Sequence, residues 1–444
     1  MDRISTVRNI PRQEPDSHEL SVIQNIFENS NSALRSISVT HIRRYHHSSS
    51  QDEASNDQRH QKHTKDIRSD ETGMIEDHHR ISKKHQKKIC SRRCIIASIL
   101  IALIISIILA VILSIILIKS KTVTTLNIVP TLRWNTTGIT LFGLSGVTGN
   151  ASDQLKLPKD AILDSPNILY IADSGNHRIQ KYVIGDLTGT TLAGQTSGIG
   201  GSSASHLNSP SSVLIDSNGG LYVADTNNHR IQFWSNGVSS GITIVGNGTN
   251  GFFNMTNQLS QPYGIYRDLN SDILYIPDYG NARVMSYASG ASSGIVVAGG
   301  KGSGRNNTQL YSPIRVYFDA LSNSLVIANH NAHNIVRWVL GDSSWTILAG
   351  NLNGTLGNSS TELRFPSDVT FDPMGNMYVA DKDNYRIQLF MAGQSEGRTI
   401  AGVTRISGNT STLLFQPWSV KLDNQLNLYV ADSRNHRIQK FLRY

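Results

Sequence analysis

Two hydrophobic patterns divide the chain. Residues 95–118 form one uninterrupted apolar run, IIASILIALIISIILAVILSIILI, with no charge and only Ser98, Ser106 and Ser114 as hydroxyls. At 1.5 Å per residue this predicts a single helix of roughly 36 Å, enough to cross a bilayer. From residue 138 onward the apolar positions come instead in short alternating bursts, separated by Gly, Asn, Ser and Pro. That pattern predicts many short strands. Residues 1–82 show neither periodicity. They are rich in Ser, His, Asn, Asp and Gln and read as a disordered tail.

The strand region is a sixfold repeat. LYIADSGNHRIQKY from Leu169 recurs as LYVADTNNHRIQFW, LYIPDYGNARVMSY, LVIANHNAHNIVRW, MYVADKDNYRIQLF and LYVADSRNHRIQKF. Its first acid falls at Asp173, Asp225, Asp278, Asn329, Asp381 and Asp432, in steps of 52, 53, 51, 52 and 51 residues. A proline precedes each copy, at Pro158, Pro210, Pro262, Pro313, Pro366 and Pro417. With one strand after each proline and one TLAG-like strand between copies, each unit carries four antiparallel strands. This is the period of a β-propeller blade. The last unit ends without its fourth strand, and an unmatched stretch, GITLFG at 138–143, lies upstream to supply it. The expected fold is therefore an all-β six-bladed propeller, preceded by one transmembrane helix and a disordered N-terminal tail. The expected divisions are 1–93 tail, 94–118 helix, 119–136 linker and 137–444 propeller.

The repeat resembles the NHL family, through Asn176-His177-Arg178, Asn228-His229-Arg230 and Asn435-His436-Arg437 within a D-x-x-N-x-R-I-Q pattern. Asn281-Ala282-Arg283 and Asn384-Tyr385-Arg386 are weaker copies, and unit four departs furthest, with Asn329, His333 and Asn334. The resemblance implies a module that binds proteins, peptides or RNA. Some relatives are enzymes, the peptidyl-amidating lyases among them. The ubiquitin-ligase relatives carry RING and B-box zinc modules, which two cysteines cannot supply.

Charge adds topology. Lys+Arg total 41 and Asp+Glu 33, split evenly enough that no nucleic-acid partner is expected. Lys83, Lys84, Lys87, Lys88, Arg92 and Arg93 precede the apolar run, against Lys119 and Lys121 after it. The positive-inside rule then predicts a single-pass type II signal-anchored membrane protein, N-terminus cytoplasmic and propeller extracellular or lumenal. Glycosylation acceptors at Asn135, Asn150, Asn247, Asn254, Asn306, Asn353, Asn358 and Asn409 all follow the run. Cys90 and Cys94 beside it are lipidation candidates.

The recurring pairs Asp173/Arg178, Asp225/Arg230, Asp278/Arg283, Asp381/Arg386 and Asp432/Arg437 read as structural, each acid accepting N–H bonds in its turn and pairing with its Arg. Function is expected where blades differ, at the channel mouth just after each proline: Lys159, Asp160, Tyr263, Arg315, Asp368 and Trp418. These charges and aromatics suit a protein or peptide ligand. No cofactor is expected. The alternative is a membrane-tethered, amidating-lyase-like or lactonase-like enzyme with Ca or Zn in the channel. It would draw on Asp160, Asp368, His330 and His333, and only Glu362 and Glu396 supply glutamate after the apolar run.

Overall fold

The computed structural model describes residues 98–113 and 132–444, apart from 166, 253 and 254. The chain divides into two compact units, Met1–Thr125 and Leu126–Tyr444.

In the first unit, residues 98–113 are helical. Among the described residues no helix is long and apolar enough to cross a membrane. This corrects the expected transmembrane helix at 94–118, and with it the type II single-pass topology and the extracellular placement derived from it. The tail and its basic flank, Cys90, Cys94 and Asn254 lie outside the described residues.

The second unit is a ring of six four-stranded antiparallel sheets. Strand β1 (Ile139–Phe142) comes first. Blade 1 holds β2 (Asp160–Ser165), β3 (Ile168–Asp173), β4 (Arg178–Val183) and β5 (Thr190–Gly194). Blade 2 holds β6 (Ser212–Ile215), β7 (Leu221–Asp225), β8 (Arg230–Trp234) and β9 (Ile242–Val245). Blade 3 holds β10 (Tyr266–Arg267), β11 (Leu274–Asp278), β12 (Arg283–Tyr287) and β13 (Ile295–Gly299). Blade 4 holds β14 (Pro313–Asp319), β15 (Ser324–Asn329), β16 (Asn334–Val339) and β17 (Thr346–Gly350). Blade 5 holds β18 (Pro366–Phe371), β19 (Met377–Asp381), β20 (Arg386–Phe390) and β21 (Gly397–Gly402). Blade 6 combines β22 (Pro417–Leu422), β23 (Leu428–Asp432) and β24 (Arg437–Phe441) with β1, which pairs antiparallel to β24 with Ile139 opposite Lys440. Joining both ends of the ring in one sheet removes an edge that would otherwise pair with another chain.

The pairing continues beyond β1. Asn135 N–H donates to Leu442 O at 2.8 Å and Tyr444 N–H to Arg133 O at 3.0 Å, while Leu132 and Trp134 are buried. The ordered ring thus starts inside the stretch expected to be linker. The apolar core lies between neighbouring blades. At the seam, for example, Tyr429 and Ile438 of blade 6 pack on Ala161 and Ile171 of blade 1.

Candidate functional site

The repeated residues build the frame around the channel. Each second strand ends in an acid, or in Asn329 in blade 4, and runs into a one-turn 3-10 helix, closed by a left-handed residue at His177, His229, Ala282, His333, Tyr385 and His436. One carboxylate oxygen accepts from the Asn three residues on, at 2.8 Å, and from the Arg five residues on, at 2.7–2.9 Å. The other oxygen accepts a backbone N–H, at 2.6–2.7 Å, from the loop that enters the blade, such as Lys156 for Asp173. That donor lies 17 or 18 residues upstream rather than in the turn, so the acid anchors the loop leading to the mouth. The Arg guanidinium spends its remaining donors on carbonyls of the same loop, Asn150, Ala151 and Gln154 for Arg178. Blade 4 has Asn329 and Asn334 instead. Asn329 still accepts from Tyr311 N–H at 2.6 Å, but its amide nitrogen and the Asn334 amide oxygen are buried without a partner among the described residues.

The repeat histidines link blades. The ring Nδ1 atoms of His177, His229, His333 and His436 accept the backbone N–H of Ser209, Gln261, Phe365 and Leu157, at 2.9, 3.0, 3.2 and 3.1 Å. Each acceptor fixes the residue before the next blade's proline, and therefore the start of the next inner strand. Burial holds these imidazoles below the ordinary histidine value, His333 down to about 4 with help from Arg305 and Arg364.

At the innermost strands, consecutive residues sit at different depths. In blades 4, 5 and 6 the residue after the proline is skipped by a bulge in the register between the first and second strands. A bulge re-aims the side chains beside it. The first position faces the mouth in blades 1, 3 and 6, where Lys159, Tyr263 and Trp418 are half-buried, while Ser211, Ile314 and Ser367 are buried. The second position is sealed below it. Arg315 of blade 4 reaches Asp160 of blade 1 through Nη1 and Asp368 of blade 5 through Nε, both at 3.0 Å. Ser212 of blade 2 donates to Asp160 at 2.8 Å and accepts from Arg315 at 2.7 Å, and Lys421 of blade 6 pairs with Asp368. Blade 3 contributes Gly264, where a Cβ would lie 2.8 Å from Ile314 O and 3.0 Å from Arg315 Cδ. All six blades therefore meet in a plug of two carboxylates and two cations. Burial opposes charge on Asp160, yet Arg315, Lys421 and Ser212 hold its carboxyl below the usual carboxylate range.

Above the plug lies a cationic, aromatic mouth. The Lys159 ammonium sits 5.1 Å from the ring centres of both Tyr263 and Trp418, which stack at 6.1 Å. Lys382 lies 5.4 Å from the ring centre of Trp418 and 5.7 Å from that of Phe365. Tyr279 and His330 continue the aromatic wall, and His330 Nδ1–H donates to Pro366 O at 2.9 Å. Burial and the nearby Lys382 charge push Lys159 down to about 8. The same two causes push His330 down to about 3, so at neutral pH the imidazole is uncharged. Lys382 pairs with Asp383 at 3.1 Å, whereas among the described residues no carboxylate meets Lys159.

Of the six expected mouth residues, Lys159, Tyr263 and Trp418 converge at the surface, and Asp160, Arg315 and Asp368 converge beneath them. Sequence reasoning missed Lys382, Phe365 and Tyr279 at the mouth and Lys421 in the plug. Lys382 directly follows a repeat acid, which was the available signal for it. A channel metal does not fit these donors, because Asp160 and Asp368 are already saturated by Arg315 and Lys421. The Nδ1 atoms of His330 and His333 meet backbone partners, and no group of three or more metal-ligating side chains stands together among the described residues. The acceptor asparagines within the described residues are exposed.

A family model for the NHL repeat matches residues 207–233, 363–390 and 416–441. The chloroplast protein Suppressor of Quenching 1 of Arabidopsis thaliana is 25% identical over 269 residues, 53% of this chain and 25% of that protein. NHL repeat-containing protein 2 of Gallus gallus is 24% identical over 352 residues, 64% of this chain and 48% of that protein. The Homo sapiens protein of the same name is 40% identical over 99 residues, 21% of this chain and 14% of that protein. The chain thus spans less than half the length of these curated relatives. Among solved structures, an auxiliary nutrient binding protein from Bacteroides thetaiotaomicron matches with a TM-score of 0.53 at 14% identity, over 70% of this chain and 77% of that one. A protein of unknown function from the same bacterium matches at 0.52 and 16% identity, over 69% and 76%. At these identities the likeness is one of fold.

Proposed function

Because this chain carries NHL repeats closed into a six-bladed β-propeller, we propose that it is a binding module that receives an acidic segment of a partner protein or peptide at the channel mouth. One observation carries the reading: the Lys159 ammonium lies 5.1 Å from the centres of two aromatic rings, and among the described residues no carboxylate pairs with it. A cation so placed is partly desolvated, held by cation–π contact and open to a ligand carboxylate. Lys382 adds a second positive charge beside Trp418. The aromatic walls add the rigid, amphipathic contact area that dominates many binding surfaces. The plug closes the floor, so a ligand rests on the mouth and does not thread the channel. The fold is shared with a nutrient binding protein, which suits a binding role.

The test is a library of short peptides with varied acidic content passed over the immobilised chain. Wild type should retain acidic members preferentially, and Lys159→Met and Trp418→Ala should each weaken retention by about tenfold or more. Retention that ignores acidity, or that survives both substitutions, would refute the proposal.

A further inference from the structure

The segment ahead of β1 occupies a groove between blades 5 and 6. Leu132 and Trp134 bury there against Tyr378, Leu389 and Ile400 of blade 5 and Leu428 and Phe441 of blade 6. The Trp134 indole N–H donates to Leu426 O at 2.7 Å, and its ring meets Tyr378 edge-on at 5.7 Å. Arg398 donates to the Leu132 carbonyl.

The repeat builds the same groove between blades 2 and 3. Aligning the strands puts Tyr222, Phe233 and Ile244 at the positions of Tyr378, Leu389 and Ile400, and Leu274 and Tyr287 at those of Leu428 and Phe441. The ladder agrees, since Leu274 pairs with Tyr287 as Leu428 pairs with Phe441. Two residues before each leucine stand Asp272 and Leu426, both left-handed, at φ 57° and 64°. The Asp272 carbonyl is thus the counterpart of the acceptor that Trp134 uses.

Between blades 2 and 3 this groove is open. A cavity of about 310 Å³ is lined by Tyr222, Phe233, Ile244, Leu274 and Tyr287. Tyr378 and Leu389 are 0% and 1% exposed beneath Trp134, whereas Tyr222, Phe233 and Ile244 are half-exposed. The groove between blades 3 and 4 is closed from within, where Phe318 stacks on Tyr275 at 5.1 Å and Trp345 is buried. At the position of Phe318, blade 3 carries Arg267, which lies 5.2 Å over the Tyr222 ring and pairs with Asp272.

We propose that the groove between blades 2 and 3 is a second docking site, separate from the mouth. Its occupant is an extended partner segment carrying an apolar residue two positions before a tryptophan, seated as Leu132 and Trp134 are seated between blades 5 and 6. The rim supports this chemistry. Where Arg398 clamps the inserted backbone, blade 2 presents Ile242, 63% exposed, so the occupant is held by packing and by the Asp272 acceptor.

The probe is a fluorescent peptide with the sequence of residues 130–137 of this chain, PTLRWNTT, added to the full chain. Saturable binding is expected, weakened about tenfold or more when the peptide tryptophan becomes Ala. Phe233→Asp and Ile244→Glu should weaken it similarly, with unchanged melting temperature showing that the ring has formed, and Lys159→Met should leave it unaltered. A photoreactive aryl group at the tryptophan position should cross-link within residues 222–292. Absence of saturable binding, binding that survives both groove variants, or cross-links confined to blades 5 and 6 would overturn the proposal. The last result would mean only that the peptide exchanges with the chain's own segment.

Discussion

Arg315 is the residue on which the channel depends. Its guanidinium bridges two buried carboxylates, Asp160 of blade 1 across the ring and Asp368 of the neighbouring blade 5, each at 3.0 Å. Removing one partner of a buried ion cluster leaves charge without compensation, typically at a cost of about 3–5 kcal/mol. Arg315→Met should therefore lower the unfolding free energy by about that amount, read from denaturant midpoints. A loss under about 1 kcal/mol would mean that Lys421 alone neutralises both acids. His333 makes a second residue-scale prediction. Its folded value is about 4, below the ordinary 6.5, so the unfolded chain takes the proton first as pH falls. Its contribution is present above about 6.5 and lost towards 4. Asp173 and Asp381, raised by burial to about 6, act with the opposite sign, losing stability as pH rises through 6. Comparing wild type with His333→Asn isolates the histidine, and the variant should lose less stability than wild type between pH 6.5 and 4. Parallel melting curves would remove the link to Phe365. Residue types were legible here, since a mixed ring of acids, bases and aromatics follows the prolines. Depth was not legible, because the bulges that separate Trp418 from Ser419 leave no mark in the local sequence.

At the scale of elements, the ring is closed by more than one strand. Residues 133–135 extend the β1–β24 pairing to the chain's last residue, and Trp134 plugs the neighbouring groove. Trp134→Ala should cost about 3–5 kcal/mol, the usual range for emptying a buried aromatic site. Thermal melts that leave wild type and variant together would contradict the role given to this segment. Gly264→Ala should also destabilise, by about 1–3 kcal/mol, because its Cβ must displace Ile314 O or the Arg315 stem. The alternating strands and their turns were readable from periodicity. The burial of Leu132 and Trp134 was not, since two apolar residues outside any periodic run give no local signal. The 95–118 run shows the converse. Its composition was plain, yet among the described residues no helix is long and apolar enough to cross a membrane.

For the whole molecule, six phased repeats made the blade number visible before any coordinates. Their sameness also hid function, because what distinguishes the mouth is a set of positions where blades disagree and meet across the ring. Lys159, Tyr263 and Trp418 come from blades 1, 3 and 6, more than 100 residues apart in sequence at each step, and only ring closure brings them together. The measurement that tests this account most directly is calorimetric titration of the most strongly retained acidic peptide into wild type and Lys159→Met, from pH 6.5 to 9.5. With Lys159 at about 8, wild-type affinity should fall as pH rises through that value, while the weaker binding of the variant stays flat. Wild-type affinity that is indifferent to pH, or equal in the two proteins, would contradict a mouth that works by an aromatic-bound cation.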